Sequence, residues 1–412
     1  MSENKEVDAK FSEGLMLSNR PESTISARFR HKLELGISDL RQLENFTLPQ
    51  GKELNYMMLD YHGITNTSVF ILDPETKEKR YVLKSFAPDS TNQLACEREA
   101  LSYKLLSKSD LFTSEAKGAN IKLPEEISVN TEEKYRIVRF IPNVSLYQVS
   151  TDQYLDIFLD YVQILNSIQP TPENFELFSL YAKDASRTPY GIYLKYLSGI
   201  QTVYNYINSG RKYDNKSKKP VLRKEIAYDL FSKYNFESRL ADYEGRVISS
   251  IDLPVLHKET STNDLRFNPR DISPSNTLIS RGKNKNITGL YPIDFEQAGW
   301  DSRHMAISLW VYHPDVIENI KIEDRKKMVR NYGEIAKSNR EDISELNARI
   351  KLSGLARVST YLKGLLREKG TYQNMIRHGF DPWFTVHSKY LKAVIFDPVS
   401  EILDQDPNEF AI

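Results

Sequence analysis

The sequence predicts an α+β protein in which a small antiparallel sheet precedes a larger, mainly helical region. Between residues 54 and 141, segments rich in aromatic and β-branched residues alternate with turn residues, which is typical of strands. After Asn143, apolar residues recur at helical spacing, as in residues 154–168. The first region has the order strand, strand, strand, helix, strand, which indicates an α+β unit built on an antiparallel sheet.

Each element of the first region is predicted from its own residues. Residues 56–61, 68–72 and 80–86 are predicted to be strands. They are joined by the turns His-Gly-Ile-Thr-Asn at 62–66 and Asp-Pro-Glu-Thr-Lys at 73–77. A helix over residues 94–106 and a strand over 137–141 complete the region.

Residue composition and periodicity divide the chain into three segments. Residues 1–48 are polar, with helical periodicity only near 37–43, and are interpreted as a partly ordered leader. Residues 49–144 form the sheet region, and residues 145–412 form the helical region. Within the latter, two short strands are predicted over 277–280 and 289–293, and further helices after 322.

The composition excludes several classes of protein. Lys plus Arg and Asp plus Glu both number 56, so the neutral chain does not resemble a general nucleic-acid binder. Cys96 is the one cysteine, which rules out an intrachain disulfide and favours a reducing, cytoplasmic location. No apolar run is long enough to cross a membrane, and the N-terminus lacks a signal-peptide pattern.

The strongest functional signal lies between Pro269 and Trp300. It reads PRDISPSNTLI, a Lys/Asn-rich turn, and then LYPIDFEQAGW. Asp271 and Asn276 have the D-x-x-x-x-N spacing of a kinase catalytic loop, and Asp294 follows the second strand. Phosphoryl transfer needs an acceptor to orient the incoming hydroxyl and oxygen ligands for Mg²⁺. Carboxylate and amide oxygens at these positions meet both needs.

These two motifs resemble those of the aminoglycoside phosphotransferases, choline kinases and related small-molecule kinases. PRDISPSNTLI is similar to the H-G-D-x-x-P-x-N-I-L motif of that family, and IDFEQAGW is similar to its I-D-F-E-x-A-G-W segment. The resemblance implies that Asp271 is the catalytic base and that Asn276 and Asp294 bind Mg²⁺. It also implies a bilobal protein-kinase-like fold, with the sheet region as the nucleotide-binding N-lobe.

The sheet region supplies matching nucleotide-binding residues. Lys84 ends a strand, as the phosphate-binding lysine of kinases does. The resemblance implies that Glu99, in the following helix, holds this lysine, and Glu97 is the alternative partner. Gly63 and Asn66 fall where the family places its phosphate-covering loop. Residues 137–141 resemble the hinge that reads the adenine edge.

Three departures from the family pattern stand out. Pro269 replaces a histidine two residues before Asp271, Asn166 replaces a histidine after Leu165, and Met305 stands where a second aspartate is usual. Each replaced residue braces the catalytic loop in the family. None of the departures removes a group implied to touch ATP or Mg²⁺.

The expected function is therefore ATP- and Mg²⁺-dependent transfer of a phosphoryl group to a hydroxyl of a small molecule, such as an aminoglycoside, choline or an amino sugar. No nucleic-acid or membrane partner is expected, and the oligomeric state is left open. The alternative is a regulatory pseudokinase that binds nucleotide without efficient transfer. A protein kinase is disfavoured because Glu296 replaces the glycine of Asp-Phe-Gly and no Ala-Pro-Glu element follows.

Overall fold

The fold is taken from a computed structural model of the chain. The described residues are 27–44, 46, 56–58, 66–86, 94–108, 121–144, 149–181, 186–187, 191, 194, 197–198, 262–282, 284, 286–311, 313, 316, 319–340 and 346. The helices are α1 (Ala27–Leu43), α2 (Ala95–Ser107), α3 (Thr151–Ser167), α4 (Pro172–Tyr181), α5 (Met305–Val311) and α6 (Ile322–Ser338). The strands are β1 (Tyr56–Met58), β2 (Asn66–Leu72), β3 (Lys79–Phe86), β4 (Glu126–Asn130), β5 (Tyr135–Arg139), β6 (Ser186–Arg187), β7 (Leu265–Asn268), β8 (Thr277–Arg281), β9 (Ile287–Pro292) and β10 (Gly299–Ser302).

These elements group into two compact units. The first unit contains α1, α2, β1 to β5, the hairpin β8–β9 and the first turns of α3. The second contains β6, β7, β10, α5, α6 and most of α3 and α4. The first unit thus differs in extent from the expected sheet region, residues 49–144. In addition to the sheet region, it contains α1, which lies in the expected leader, and the hairpin β8–β9, which lies in the expected helical region.

The first unit is built on a five-stranded antiparallel sheet with strand order β1-β2-β3-β5-β4. The sequence predicts β1, β2, β3 and β5, whereas it misses β4. This strand lies at the edge of the sheet and buries none of its residues fully. An edge strand of this kind lacks the apolar alternation by which strands are recognised.

A tight turn fixes the register of β2 and β3. The side-chain Oδ1 of Asp73 accepts hydrogen bonds from the backbone N–H groups of Glu75 and Thr76, each at 2.9 Å. These hydrogen bonds lower the pKa of Asp73. With the turn in place, Lys84 stands opposite Ser68 of β2 on one side and opposite Arg136 of β5 on the other.

Helix α1 covers one face of this sheet. Leu33, Ile37 and Leu40 recur at helical spacing and are all buried in one cluster with strand residues such as Leu83. Gly36 permits the close approach, because a Cβ atom there would lie 2.6 Å from Cδ1 of Leu83. In the segment interpreted as a partly ordered leader, helical periodicity is expected only near 37–43, whereas α1 begins at Ala27 and belongs to the core. Exposed charged residues interrupt its apolar stripe.

The second unit has a small three-stranded sheet and an aromatic core. Strand β10 pairs antiparallel with β7 and parallel with β6. The rings of Phe178, Phe267 and Trp300 pack edge to face in the same unit. Phe158 of α3 stacks on Trp310 of α5 with ring centroids 5.1 Å apart. The predicted helix over residues 154–168 corresponds to α3.

The remaining predicted elements also have counterparts. The helix over 94–106 is α2, and the two strands over 277–280 and 289–293 are the hairpin β8–β9. Helix α6 falls in the stretch predicted to be helical after residue 322. None of the helices in the described part of the chain is long and apolar enough to span a membrane.

Candidate active site

Lys84 is the centre of an ionic cluster in the first unit. Its ammonium nitrogen lies 2.6 Å from a carboxylate oxygen of Glu99 and 2.6 Å from one of Asp294. Strand β3 alternates buried and less buried residues, and Lys84 keeps 18% of its side chain exposed. The lysine and the two acids, which sequence motifs assign to one site, are therefore brought together.

Glu99 is held by a second cation. Arg136 lies directly opposite Lys84 in the β3–β5 ladder, so the two cations share one face of the sheet. The Nη1 atom of Arg136 lies 2.9 Å from Oε1 of Glu99, and its Nε lies 2.8 Å from Glu126. Glu99 thus forms ion pairs with two adjacent cations. The alternative partner for Lys84, Glu97, instead pairs with Lys134.

The electrostatics of the cluster favour the charged forms of Lys84 and Glu99. Burial alone would lower the pKa of Lys84, but Asp294, Glu99 and Glu296 outweigh burial and raise that pKa well above its usual value. Burial likewise opposes ionisation of Glu99, but Lys84 and Arg136 lower its pKa below the usual range. Lys84 is therefore an ammonium ion at neutral pH, as phosphate binding requires.

Aromatic packing links Arg136 to the segment that carries Asp294. The guanidinium carbon of Arg136 lies 3.1 Å from the ring centroid of Tyr103 on α2. The ring of Tyr103 packs edge to face on Phe295, with centroids 5.1 Å apart. Burial raises the pKa of Tyr103 to about 12, so its phenol stays neutral. Phe295 is fully buried and therefore anchors the acids on either side of it.

Glu296 joins the cluster although no sequence motif singled it out as a nucleotide or metal group. One of its oxygens lies 3.3 Å from the ammonium group of Lys84. The same oxygen accepts a hydrogen bond from Nδ2 of Asn66, at the start of β2. Burial raises the pKa of Glu296 to about 7, against the opposing effect of Lys84. Asn66, a predicted phosphate-loop residue, therefore does reach the Lys84 cluster.

The hairpin β8–β9 sets Asn276 beside Asp294. Thr277 pairs with Pro292, and the carbonyl oxygen of Asn276 accepts the N–H of Ile293 at 2.9 Å. Asn276 and Asp294 therefore lie at the same end of the hairpin, one before its first strand and one after its second. Asp294 has a positive φ of 66°, which an aspartate tolerates better than most residues.

The cluster has the donor chemistry of a divalent-cation site. One oxygen from each of Glu99, Asp294 and Glu296 lies within 4.8 Å of the others. Carboxylate oxygens, together with the amide oxygen of Asn276, are the hard ligands that Mg²⁺ prefers. The four acids of the cluster, Glu126 included, outnumber the two cations, which also favours a bound cation. The residues present thus fit Mg²⁺.

Asp271 belongs to the second unit, where its loop is anchored from both sides. Arg270 has a positive φ of 68°, and its backbone N–H donates to Oδ1 of Asn268 at 2.8 Å. The Arg270 guanidinium pairs with Asp301 at 2.9 Å, and both side chains are fully buried. Ile272, on the other side of Asp271, is also buried. The loop is therefore braced despite Pro269.

His313 lies against Asp271. Its Nε2 is 3.5 Å from Oδ1 of Asp271, and the side chains are 8% and 35% exposed, respectively. His313 follows α5, every residue of which is buried. No sequence motif assigns this histidine a role, because it lies 42 positions after Asp271 in the chain and no local pattern connects the two.

Asn166, the second departure from the family pattern, and His304, the neighbour of the third, both contact Tyr332 of α6. The side-chain amide of Asn166 donates to the Tyr332 hydroxyl at 2.5 Å. The same hydroxyl lies 2.5 Å from Nδ1 of His304, the residue that precedes Met305. Asn166 is therefore part of a polar network that ties α3 to α6. Among the predicted site residues, Gly63 alone lies outside the described residues.

Cys96 provides a test of the burial of this region. It lies on α2 next to the acid pair Glu97 and Glu99, and burial together with these acids raises the pKa of its thiol to about 12. The thiolate fraction at pH 8 falls about a thousandfold relative to a free thiol, so native Cys96 should resist iodoacetamide at pH 8. Mass spectrometry after a timed pulse measures the labelling. The urea-unfolded chain, as control, should be labelled fully. Native labelling at the rate of free cysteine would contradict this packing of α2.

Comparisons with known proteins show where this fold occurs. No protein-family model matches the chain, and no curated protein matches its sequence. Among solved structures it is similar to an ethanolamine kinase of Plasmodium vivax, with 11% identity and a TM-score of 0.53 over 93% of this chain and 98% of that one. It is also similar to a spectinomycin phosphotransferase in complex with ADP and spectinomycin, with 15% identity and a TM-score of 0.55 over 93% and 98% of the two chains.

A third similar structure is the GDP and kanamycin complex of APH(2″)-IIia, with 12% identity and a TM-score of 0.51 over 87% of this chain and 98% of that one. The matched lengths show that the likeness extends through both units. At these identities it establishes the fold, which is the fold that the sequence motifs predict. The chain therefore has the α+β, protein-kinase-like fold of the small-molecule kinases.

Proposed function

We propose that this protein is a phosphotransferase that moves the γ-phosphoryl group of ATP to a hydroxyl group of a small molecule. The observation that carries the proposal is the pairing of Lys84 with Glu99 and Asp294, beside Asn276. A lysine held by a helix glutamate, next to oxygen ligands for Mg²⁺, is the arrangement that phosphoryl transfer uses. The structural likeness to kinases of small molecules supports it further.

In this proposal each residue has one task. Lys84 binds phosphate oxygens and Glu99 keeps it in place, while Asn276 and Asp294 hold Mg²⁺, with Glu296 close by. Bound Mg²⁺ supplies positive charge that neutralises the phosphates. Asp271 accepts the proton of the attacking hydroxyl. The new P–O bond forms to the acceptor oxygen as the bond between the γ-phosphorus and the bridging oxygen of ADP breaks.

The metal-nucleotide part of the proposal is tested by thermal unfolding with and without Mg-ATP. A ligand that binds only the native state stabilises it by about 2.7 kcal/mol at a hundredfold excess over Kd. Wild type should show an upward shift in Tm, and Asp294→Ala should lose most of it. Glu75→Ala is the matched control, because Glu75 is an exposed acid in the β2–β3 turn of the same unit. No shift in wild type at millimolar Mg-ATP would contradict the proposal.

The alternative function, a nucleotide-binding regulatory module, predicts the same shift in Tm but no transfer. Pro269, two residues before Asp271, and Met305 are the features that favour it. Formation of ADP distinguishes the two functions. We expect ADP release from Mg-ATP to accelerate with at least one acceptor in a panel of ethanolamine, choline, spectinomycin and kanamycin. These compounds are chosen because three of them are named with similar folds and choline is close to ethanolamine.

A further inference from the structure

A buried histidine, His313, lies next to Asp271 of the catalytic-loop motif. The Nε2 atom of His313 lies 3.5 Å from Oδ1 of Asp271, and both residues belong to the second unit. This distance is long for a hydrogen bond, but catalytic hydrogen bonds are often long before substrate binds. The imidazole is therefore placed to donate Nε2–H to the carboxylate.

The burial of the two side chains separates their roles. His313 is 8% exposed, so it is not open to an incoming acceptor, whereas Asp271 is 35% exposed. A hydroxyl group can thus reach the carboxylate but not the imidazole. A buried donor that contacts an accessible carboxylate restricts its rotation and leaves the proton-accepting role with the carboxylate.

The backbone around His313 is rigid enough for this task. Its N–H donates to the carbonyl of Trp310 at 2.9 Å, and its own carbonyl accepts the N–H of Val316 at 2.9 Å. Both neighbours are completely buried. On the facing side, Arg270 is tied to Asp301, so the backbone next to Asp271 is fixed as well. Imidazole and carboxylate therefore meet across two anchored segments.

We infer that His313 is a positioning residue that orients the Asp271 carboxylate toward the acceptor hydroxyl. This inference rests on the proposed function, since it assigns Asp271 the role of base. Misplacing a reacting group by about 1 Å costs roughly a hundredfold in rate. Loss of the imidazole should therefore lower kcat without changing the KM for ATP, because Lys84 and Asp294 bind the nucleotide in the first unit.

The kinetic test compares two substitutions of His313 in the full chain. His313→Leu removes the donor, and we expect kcat for ADP formation from Mg-ATP to fall roughly 10- to 100-fold at unchanged KM for ATP. His313→Gln retains an N–H close to the position of Nε2, and it should recover kcat to within a few fold of wild type. His31→Gln, which alters an exposed histidine in the first unit, is the matched control and should behave as wild type.

Two outcomes of this test would overturn this inference and leave the proposed function intact. If wild type is active and His313→Leu retains full kcat, the contact has no catalytic use. If His313→Gln is as slow as His313→Leu, the ability of histidine to take up a proton matters and orientation is the wrong explanation. Wild type that neither binds Mg-ATP nor forms ADP would instead refute the proposed function and, with it, this inference.

A readout independent of activity tests the contact itself. In a double-mutant cycle of His313→Leu and Asp271→Ala, the two changes in Tm should fall short of additivity, because each substitution removes one partner of the same interaction. Strict additivity would show that the two side chains do not interact in solution and would overturn the inference. Non-additivity with the expected loss of kcat supports it.

Discussion

Asp271→Asn should lower phosphoryl transfer by roughly 10² to 10⁴-fold, the range that general acid–base catalysis contributes. The amide keeps the size of the side chain but no longer accepts the hydroxyl proton. Because Asp271 belongs to the second unit and the Lys84 cluster to the first, the stabilisation by Mg-ATP should remain. A coupled enzyme assay of ADP release measures kcat, and the shift in Tm with Mg-ATP measures nucleotide binding.

A matched control for this variant is Asp160→Asn on α3, an exposed aspartate in the same unit. It should retain wild-type kcat. If Asp271→Asn transfers phosphate at the wild-type rate, the base lies elsewhere and the role assigned to the D-x-x-x-x-N motif is wrong. If it also loses the shift with Mg-ATP, Asp271 contributes to nucleotide binding rather than to proton transfer alone.

Asp301→Ala should destabilise the protein by roughly 3 to 5 kcal/mol, because breaking a buried ion pair leaves one charge without compensation. The side chains of Asp301 and Arg270 are both fully buried, and their closest atoms are 2.9 Å apart. Urea unfolding of wild type and variant measures the loss. The double variant Asp301→Leu with Arg270→Met removes both charges and should be far less destabilised than Asp301→Ala.

The more exposed pair of Asp264 and Arg303 is the comparison for this prediction. Its closest atoms are 3.9 Å apart and Asp264 is half-exposed, so Asp264→Ala should change the free energy of unfolding by about 0 to 1 kcal/mol. Equal effects of Asp264→Ala and Asp301→Ala would show that the buried pair is solvated. In that case Arg270 would not brace the loop of Asp271.

Local patterns were sufficient to predict much of the fold and half of the candidate site. Lys84 lies two residues before the end of β3, a strand of clear β composition, and Glu99 lies on α2, the next element along the chain, so their pairing could be anticipated. The hairpin could be predicted for the same reason, since two short apolar segments flank a polar turn. Asn276 and Asp294 then follow from the geometry of that hairpin.

The parts that sequence analysis missed depend on contacts between distant residues. The strand predicted over 137–141 does not include Arg136, so the sequence does not predict its position opposite Lys84. The contact of His313 with Asp271 depends on how α5 packs, which no local pattern encodes. Strands β7 and β10 are each four residues long and are recognisable only once they pair.

Helix α1 sets a practical limit on how far the chain can be shortened from its N-terminus. A shortened polypeptide that starts near residue 48 looks reasonable from composition, but it would uncover Leu83 and Ile137 on the face that Leu33, Ile37 and Leu40 cover. It would also remove Lys32, whose buried ammonium group donates to the carbonyl of Phe86. Uncovered sheet faces of this kind promote aggregation. Any form of the chain shortened at its N-terminus should therefore begin before Ala27.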